Sequence, residues 1–206
     1  MRRTAFLKLA MVLFLPASCS FAGEFVAGPA PKVEVSAYRL TLSSAMAAAL
    51  KTYTPEFIIW EAADFDPDLL AMYAYGGTTG EYTLNYQSPS AVIGDFNGDK
   101  VPDAALLGHD RTHKKMLVLL SGADGYSVVE ISSYPLEKTV PVTTKTAGGE
   151  LSQCLELVHP GKIKADPGYK RPEITLKTDA FKYGGERGSS LYYYKDGKFI
   201  SYALSD

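Results

Sequence analysis

Residues 91–107 read AVIGDFNGDKVPDAALL, from Ala91 to Leu107, and their reading decides what kind of fold the chain can have. Two apolar runs, AVI and AALL, are too short for stable helices and are separated by a polar stretch rich in Gly, Asp and Asn. That pattern predicts two strands joined by a tight loop. Within the loop, oxygen-bearing side chains stand at Asp95, Asn97, Asp99 and Asp103, the first, third, fifth and ninth positions. A hard cation such as Ca²⁺ takes six to eight oxygens at roughly 2.3–2.6 Å, and this spacing lets one loop wrap such an ion. Val101, at the seventh position, would add its backbone carbonyl. Gathering three carboxylates without a cation is costly, so the sequence predicts a bound ion or an opened loop.

A helix-loop-helix EF-hand is not the matching pattern. It would need Gly at the sixth position and Glu at the twelfth, where this chain has Lys100 and Leu106. The stretch GDFNGDKVPDAALL instead resembles the calcium loop of FG-GAP and VCBS-type repeats, D-x-N-x-D-G-x-x-D between two strands. Asp95, Asn97, Asp99 and Asp103 match it position by position. The resemblance implies a β-rich extracytoplasmic module in which Ca²⁺ stiffens a loop, serving adhesion or ligand recognition, as in single-repeat FG-GAP/VCBS-like exported bacterial proteins. It is close over this loop and looser over about residues 90–132, and a single loop does not imply a full propeller. Lys100 departs from the pattern. If its position requires positive φ, a non-Gly residue costs about 1 kcal/mol, and its charge opposes the ion.

Outward from the loop, KMLVLLS and YSVVEIS continue the strand pattern, with SGADGY (Ser121 to Tyr126) as the hairpin between them. Further strands are expected over 33–42, in EYTLNY at 81–86, over 151–158 and over 173–178. Asp196-Gly197 marks a closing hairpin, LYYY-KDGK-FISYAL, in which Tyr192 and Tyr194 share one strand face. GGERGSS, residues 184–190, reads as a flexible connection. On the N-terminal side, Ser43 or Ser44 caps an Ala-rich helix ended by Pro55, and FIIW reads as a short buried segment. Asp66, Pro67 and Asp68 open a second helix as cap, first turn and dipole partner. That reading also accounts for Asp64-x-Asp66-x-Asp68 better than a metal site does. The fold class is α+β and β-dominated: an antiparallel sheet with one calcium-loop hairpin and two short N-terminal helices, in a single domain over 37–206.

The chain begins with basic residues, an apolar run from Leu9 to Leu15 and Pro16, the anatomy of a secretory signal peptide. Its apolar run is shorter than the roughly 20 residues a membrane helix needs, so no transmembrane span is expected in the mature chain. Cleavage after Ala22 would leave residues 23–36 as an exposed leader. A second reading places a lipoprotein box at residues 15–19, with Cys19 lipidated. The destination is thus periplasmic or secreted, or lipid-anchored through Cys19. The whole chain carries 21 basic and 23 acidic residues, net -2; losing three basic residues and no acidic one takes it to 18 against 23, or -5. This acidic balance excludes a phosphate-backbone binder. Only Cys154 would remain, read as a buried core thiol rather than a reactive one.

Other groups carry weaker chemistry. His109-Asp110-Arg111-Thr112-His113 gathers ionisable side chains in one stretch read as exposed, which a hydrolase using His109, Asp110 and His113 would need. Without a nucleophile elbow or a full zinc-ligand set, it reads as a polar turn between strands. His159, before Pro160-Gly161, reads as a strand end. The function expected from the sequence is an exported, calcium-stabilised binding module of the bacterial envelope without catalysis, directed at an envelope protein or a glycan. An envelope hydrolase, or an inhibitor or accessory partner of another envelope protein, is the alternative.

Overall fold

Ser43 begins the described structure's first helix in the way its side chain allows: its Oγ accepts the Met46 amide at 3.2 Å, and α1 runs Ser44–Tyr53. The Thr54 amide closes on the Leu50 carbonyl, and Pro55 prevents continuation. The computed structural model describes residues 41–74, 88–136, 151–169, 171–185 and 188–205. The signal peptide, Cys19, the leader, the strand expected over 33–42 up to residue 40, and EYTLNY lie outside the described residues. All described residues belong to one unit, Val35–Asp206.

The chain then forms β1 (Ile58–Ile59), a 3₁₀ turn at Ala62–Asp64 and α2 (Pro67–Ala74). Asp66 Oδ1 accepts the amides of Asp68 and Leu69, the capping role read from the sequence. Asp64 serves the 3₁₀ turn, its carboxylate accepting the Glu61 amide at 2.7 Å.

The first sheet contains β2 (Ala91–Gly94), β3 (Asp103–His109), β4 (His113–Gly122) and β5 (Gly125–Pro135), all antiparallel. β1 and β2 share one edge of β3, β1 beside Gly108 and His109 and β2 beside residues 103–106. Alternation along β3 sends Ala104 and Leu106 to one face and Ala105 and Leu107 to the other. Both faces are covered, which is why DAALLG is almost continuously apolar. On one side Met46 and Leu50 of α1 pack against Ala104, Leu106, Leu117 and Leu119, each large side chain contributing roughly 1.5–3 kcal/mol through burial.

The other side meets a second antiparallel sheet of β6 (Gln153–Val158), β9 (Ala180–Gly185), β10 (Gly188–Lys195) and β11 (Lys198–Ser205), in the order β11-β10-β9-β6. Val92, Phe96, Leu107, Met116 and Val118 interlock there with Leu155 and Phe181. β7 (Gly161–Ile163) and β8 (Ile174–Leu176) form a ribbon whose Leu176 packs with Ala180, Leu191 and Tyr202 on the far face of the second sheet. The β-dominated α+β class with two helices stands, but one expected sheet is two sheets and a ribbon. Alternation assigns a strand's faces; it does not choose its partners.

Local readings fare unevenly. Lys195 pairs with Lys198 around Asp196 and Gly197, at φ 51° and 81°, as a two-residue turn with both central residues left-handed requires. Tyr192 stacks on Phe181 at 5.4 Å and Tyr194 meets Phe199 at 5.2 Å toward the inter-sheet core, while Tyr193 packs on the opposite face. The described residues of GGERGSS are strand, β9 and β10 pairing up to Gly185 and Gly188, and not a flexible connection. A side chain at Gly185 would collide with the Ser152 carbonyl, so close strand packing accounts for that glycine.

Candidate functional site: the two polar ends of β3

Gly94 pairs with Asp103 across the base of the acidic loop, so the chain between them must turn within eight residues. Gly98 takes φ 84° and Lys100 φ 69° to do so. The departure noted in the sequence thus falls on a left-handed residue, where Lys carries a steric cost that Gly would not.

The loop carboxylates are engaged by backbone amides. Asp95 Oδ1 accepts from Gly98 at 2.8 Å and Oδ2 from Lys100 at 3.0 Å. Asn97 Oδ1 accepts from Asp99, and Asp99 Oδ1 from Val101 at 2.8 Å. Asp103 is wholly buried; its Oδ2 accepts the amides of Phe96 and Asn97, and its Oδ1 the amide of Ser121 at 2.7 Å. Oriented amides are therefore a third way to gather these carboxylates, besides an ion or an opened loop. The Val101 bond and the Ser121 hydroxyl hold Asp99 below the usual carboxylate range. Burial pushes Asp103 above it despite its four donors.

Ser121, at the end of β4, completes the arrangement and was not among the residues the sequence singled out. Its Oγ lies 2.8 Å from Asp99 Oδ2 and 2.7 Å from Asp103 Oδ1, and its carbonyl accepts from the Asn97 amide nitrogen. One hydroxyl proton can serve only one of two carboxylate oxygens. The Asn97 side-chain amide also donates to Asp99 Oδ2 at 3.2 Å, so every oxygen of the two carboxylates has a donor, but each donor is neutral and no cationic side chain pairs with them among the described residues. Strand register was the signal: counting back from the His109 and Lys114 pair brings residues 119 to 121 beside the loop.

The loop also joins the two sheets. Phe96 is fully buried and makes edge contacts with Phe181 at 5.4 Å and Phe199 at 6.3 Å. Asp95 and Asp179 exchange two bonds, and Thr178 Oγ1 donates to the Phe96 carbonyl at 2.9 Å. His159, read as a strand end, places Nδ1 3.0 Å from Asp179 Oδ1.

As for a metal, Asp95, Asn97, Asp99 and the Val101 carbonyl are all oxygen donors, the chemistry a hard cation takes. Asp103 differs, because both its oxygens already accept two bonds. Among the described residues no group of three or more His, Cys, Asp or Glu side chains converges on a metal-binding geometry.

At the other end of β3, the HDRTH stretch is a turn whose Asp110 Oδ1 accepts the amides of Thr112 and His113 and the Thr112 hydroxyl. Burial alone would raise the Asp110 pKa, but the Thr112 hydroxyl, the Lys115 ammonium at 3.0 Å and the two amides together hold it far below the carboxylate range. His109 corrects the expectation of an exposed stretch: it is fully buried and stacked on Trp60 with ring centroids 4.1 Å apart. His113 points outward, 3.8 Å from Asp110. Cys154 is buried, its thiol pushed up to about 12 by burial, as an inert core residue should be.

A scan of protein-family models, a search of curated proteins and a search of solved structures each give no match to the chain. No helix among the described residues is long and apolar enough to cross a membrane.

Proposed function

We propose that the protein is an exported, non-catalytic binding module of the bacterial envelope, periplasmic or secreted, or anchored through Cys19, in which Ca²⁺ held by the Asp95–Asp103 loop stiffens the junction of two sheets. The observation that carries the reading is that Asp95, Asp99 and Asp103 gather in one loop with only neutral donors among the described residues: a cation supplies the positive charge these carboxylates lack. Asp95, Asn97, Asp99, the Val101 carbonyl and Asp103 would hold the ion, with Asp103 exchanging its Ser121 hydroxyl contact. The chemistry supplied is charge neutralisation alone. Because Phe96 and Asp95 reach the second sheet, stiffening this loop steadies both sheets for an envelope protein or glycan ligand.

Calorimetric titration of the mature protein with Ca²⁺ tests the reading. Binding in the range of roughly 10⁻⁴–10⁻³ M typical of extracellular modules is expected, with a calcium-dependent rise in melting temperature. The absence of both would overturn the metal assignment. Recovery of the protein from its native envelope with a bound partner or glycan addresses the interaction role, and turnover of ester, phosphate or peptidoglycan substrates would replace it with a hydrolase.

A further inference from the structure

We propose that His109 is an acid-operated latch, whose neutral ring holds the Arg111 turn and the Glu56–Trp60 segment to the end of β3 and whose protonation releases them. Three observations carry it. The Arg111 amide donates to His109 Nδ1 at 3.2 Å, which requires that nitrogen to keep its lone pair. An imidazolium has a hydrogen on both nitrogens, so protonation turns this bond into a donor facing a donor. Second, the ring is fully buried against Trp60, and among the described residues neither His109 Nε2 nor Trp60 Nε1 has a hydrogen-bond partner to take up a new charge. Third, the segment's backbone attachment to β3 is short: β1 contributes two residues, extended by the Trp60 amide to the Leu107 carbonyl at 3.1 Å. Arg111 itself sits at φ 74° and reaches Glu56 at 3.6 Å, so turn and segment are linked.

Burial, rather than the charges around the ring, favours the neutral form. From β4, Lys114 stands directly opposite His109 on the same face, its ammonium 5.9 Å from the ring centroid of Tyr183 in the second sheet. Lys115 lies on the other face, tied to Asp110 and Glu130 of β5. From the Trp60 side, Glu56 is paired with Arg111, while the Asp64 carboxylate accepts the Glu61 amide. On its own turn stand Asp110, Arg111 and the outward His113. Burial, the largest influence, lowers the basicity of His109; Asp110 offsets part of this and Arg111, the smallest influence, lowers it further. The folded ring thus binds a proton less readily than an exposed one, so stability is present above the open-state pKa near 6.5 and is lost as pH falls below it. The latch does not rest on cation binding at the far end of β3.

The test is amide hydrogen exchange on the mature protein, corrected for intrinsic rates, from about pH 7 to about pH 5, above the carboxylate range. Protection of the Trp60 amide should fall about tenfold per pH unit below about 6.5, with β10 and β11 amides unaffected. His109→Asn keeps an acceptor for the Arg111 amide but cannot titrate, and should flatten the profile; His113→Asn should leave it as in the wild type. A flat wild-type profile, or an unchanged one in His109→Asn, overturns the latch. Should that variant not fold, nitrogen NMR of the wild type decides: an unprotonated Nδ1 at about pH 6 in the native state supports it, and an imidazolium there overturns it.

Discussion

β3 carries a fully buried polar residue at each end, Asp103 and His109, and the two are held in opposite ways. Asp103 accepts three backbone amides and contacts a hydroxyl, so its burial organises a loop. His109 accepts one amide and, among the described residues, leaves its other nitrogen without a partner under Trp60. The acidic end is a densely bonded network whose carboxylate oxygens all accept from neutral donors. The histidine end is sparsely bonded and tolerates only the neutral ring. A single strand therefore supplies one rigid polar anchor and one that a proton can loosen.

The largest effect that would break this comparison comes from Asp103→Ala. It orphans the amides of Phe96, Asn97 and Ser121 in the core, and an expected loss of about 3–5 kcal/mol should register as a lower urea midpoint. A change under about 1 kcal/mol would mean that water replaces the carboxylate and that this end is no more determined than the other.

Asp110→Asn should cost about 2 kcal/mol near neutral pH by weakening the charged bonds that set the histidine turn. The folded pKa of Asp110 is depressed, so its contribution is present above the unfolded value near 3.9 and is lost as pH falls through the folded one. Asp103, raised instead, opposes that trend as it is protonated. Urea midpoints of the wild type and this variant should therefore converge as pH falls; parallel curves would remove Asp110 as the source.

Ca²⁺ at about tenfold over its dissociation constant should add about 1.4 kcal/mol. For a domain of this size that raises the melting temperature by roughly 3–6 °C. Ser121→Ala should reduce the gain if the hydroxyl belongs to the same charge network; an undiminished shift would separate Ser121 from the ion. The smallest effect is expected from Lys100→Gly. Relief at φ 69° is partly offset by the greater freedom of Gly in the unfolded chain, leaving about 0.5 kcal/mol of stabilisation, together with tighter calcium binding.

Much of the local structure was legible before any fold was known. Ser43 and Asp66 cap helices because their side chains suit that task wherever a helix follows. Asp196-Gly197 turns a hairpin because few other pairs accept two left-handed residues. The spacing of Asp95, Asn97, Asp99 and Asp103 was equally plain. Phe96 was not, because a loop residue becomes a core residue only when a second sheet lies beneath it. His109 was misread for the same reason: its exposure depends on Trp60, 49 positions earlier in the chain.

By itself the sequence determined the short-range features: helix caps, turns, strand faces and the oxygen-rich loop, all set by dihedral preferences and side-chain alternation within a few residues. Only the tertiary structure decided that β6, β9, β10 and β11 form a second sheet, that Ser121 closes the acidic loop, and that one histidine of the HDRTH turn faces the core. Those outcomes depend on which distant surfaces exclude water from each other, and burial sets the cost of a charge more strongly than any neighbour in sequence.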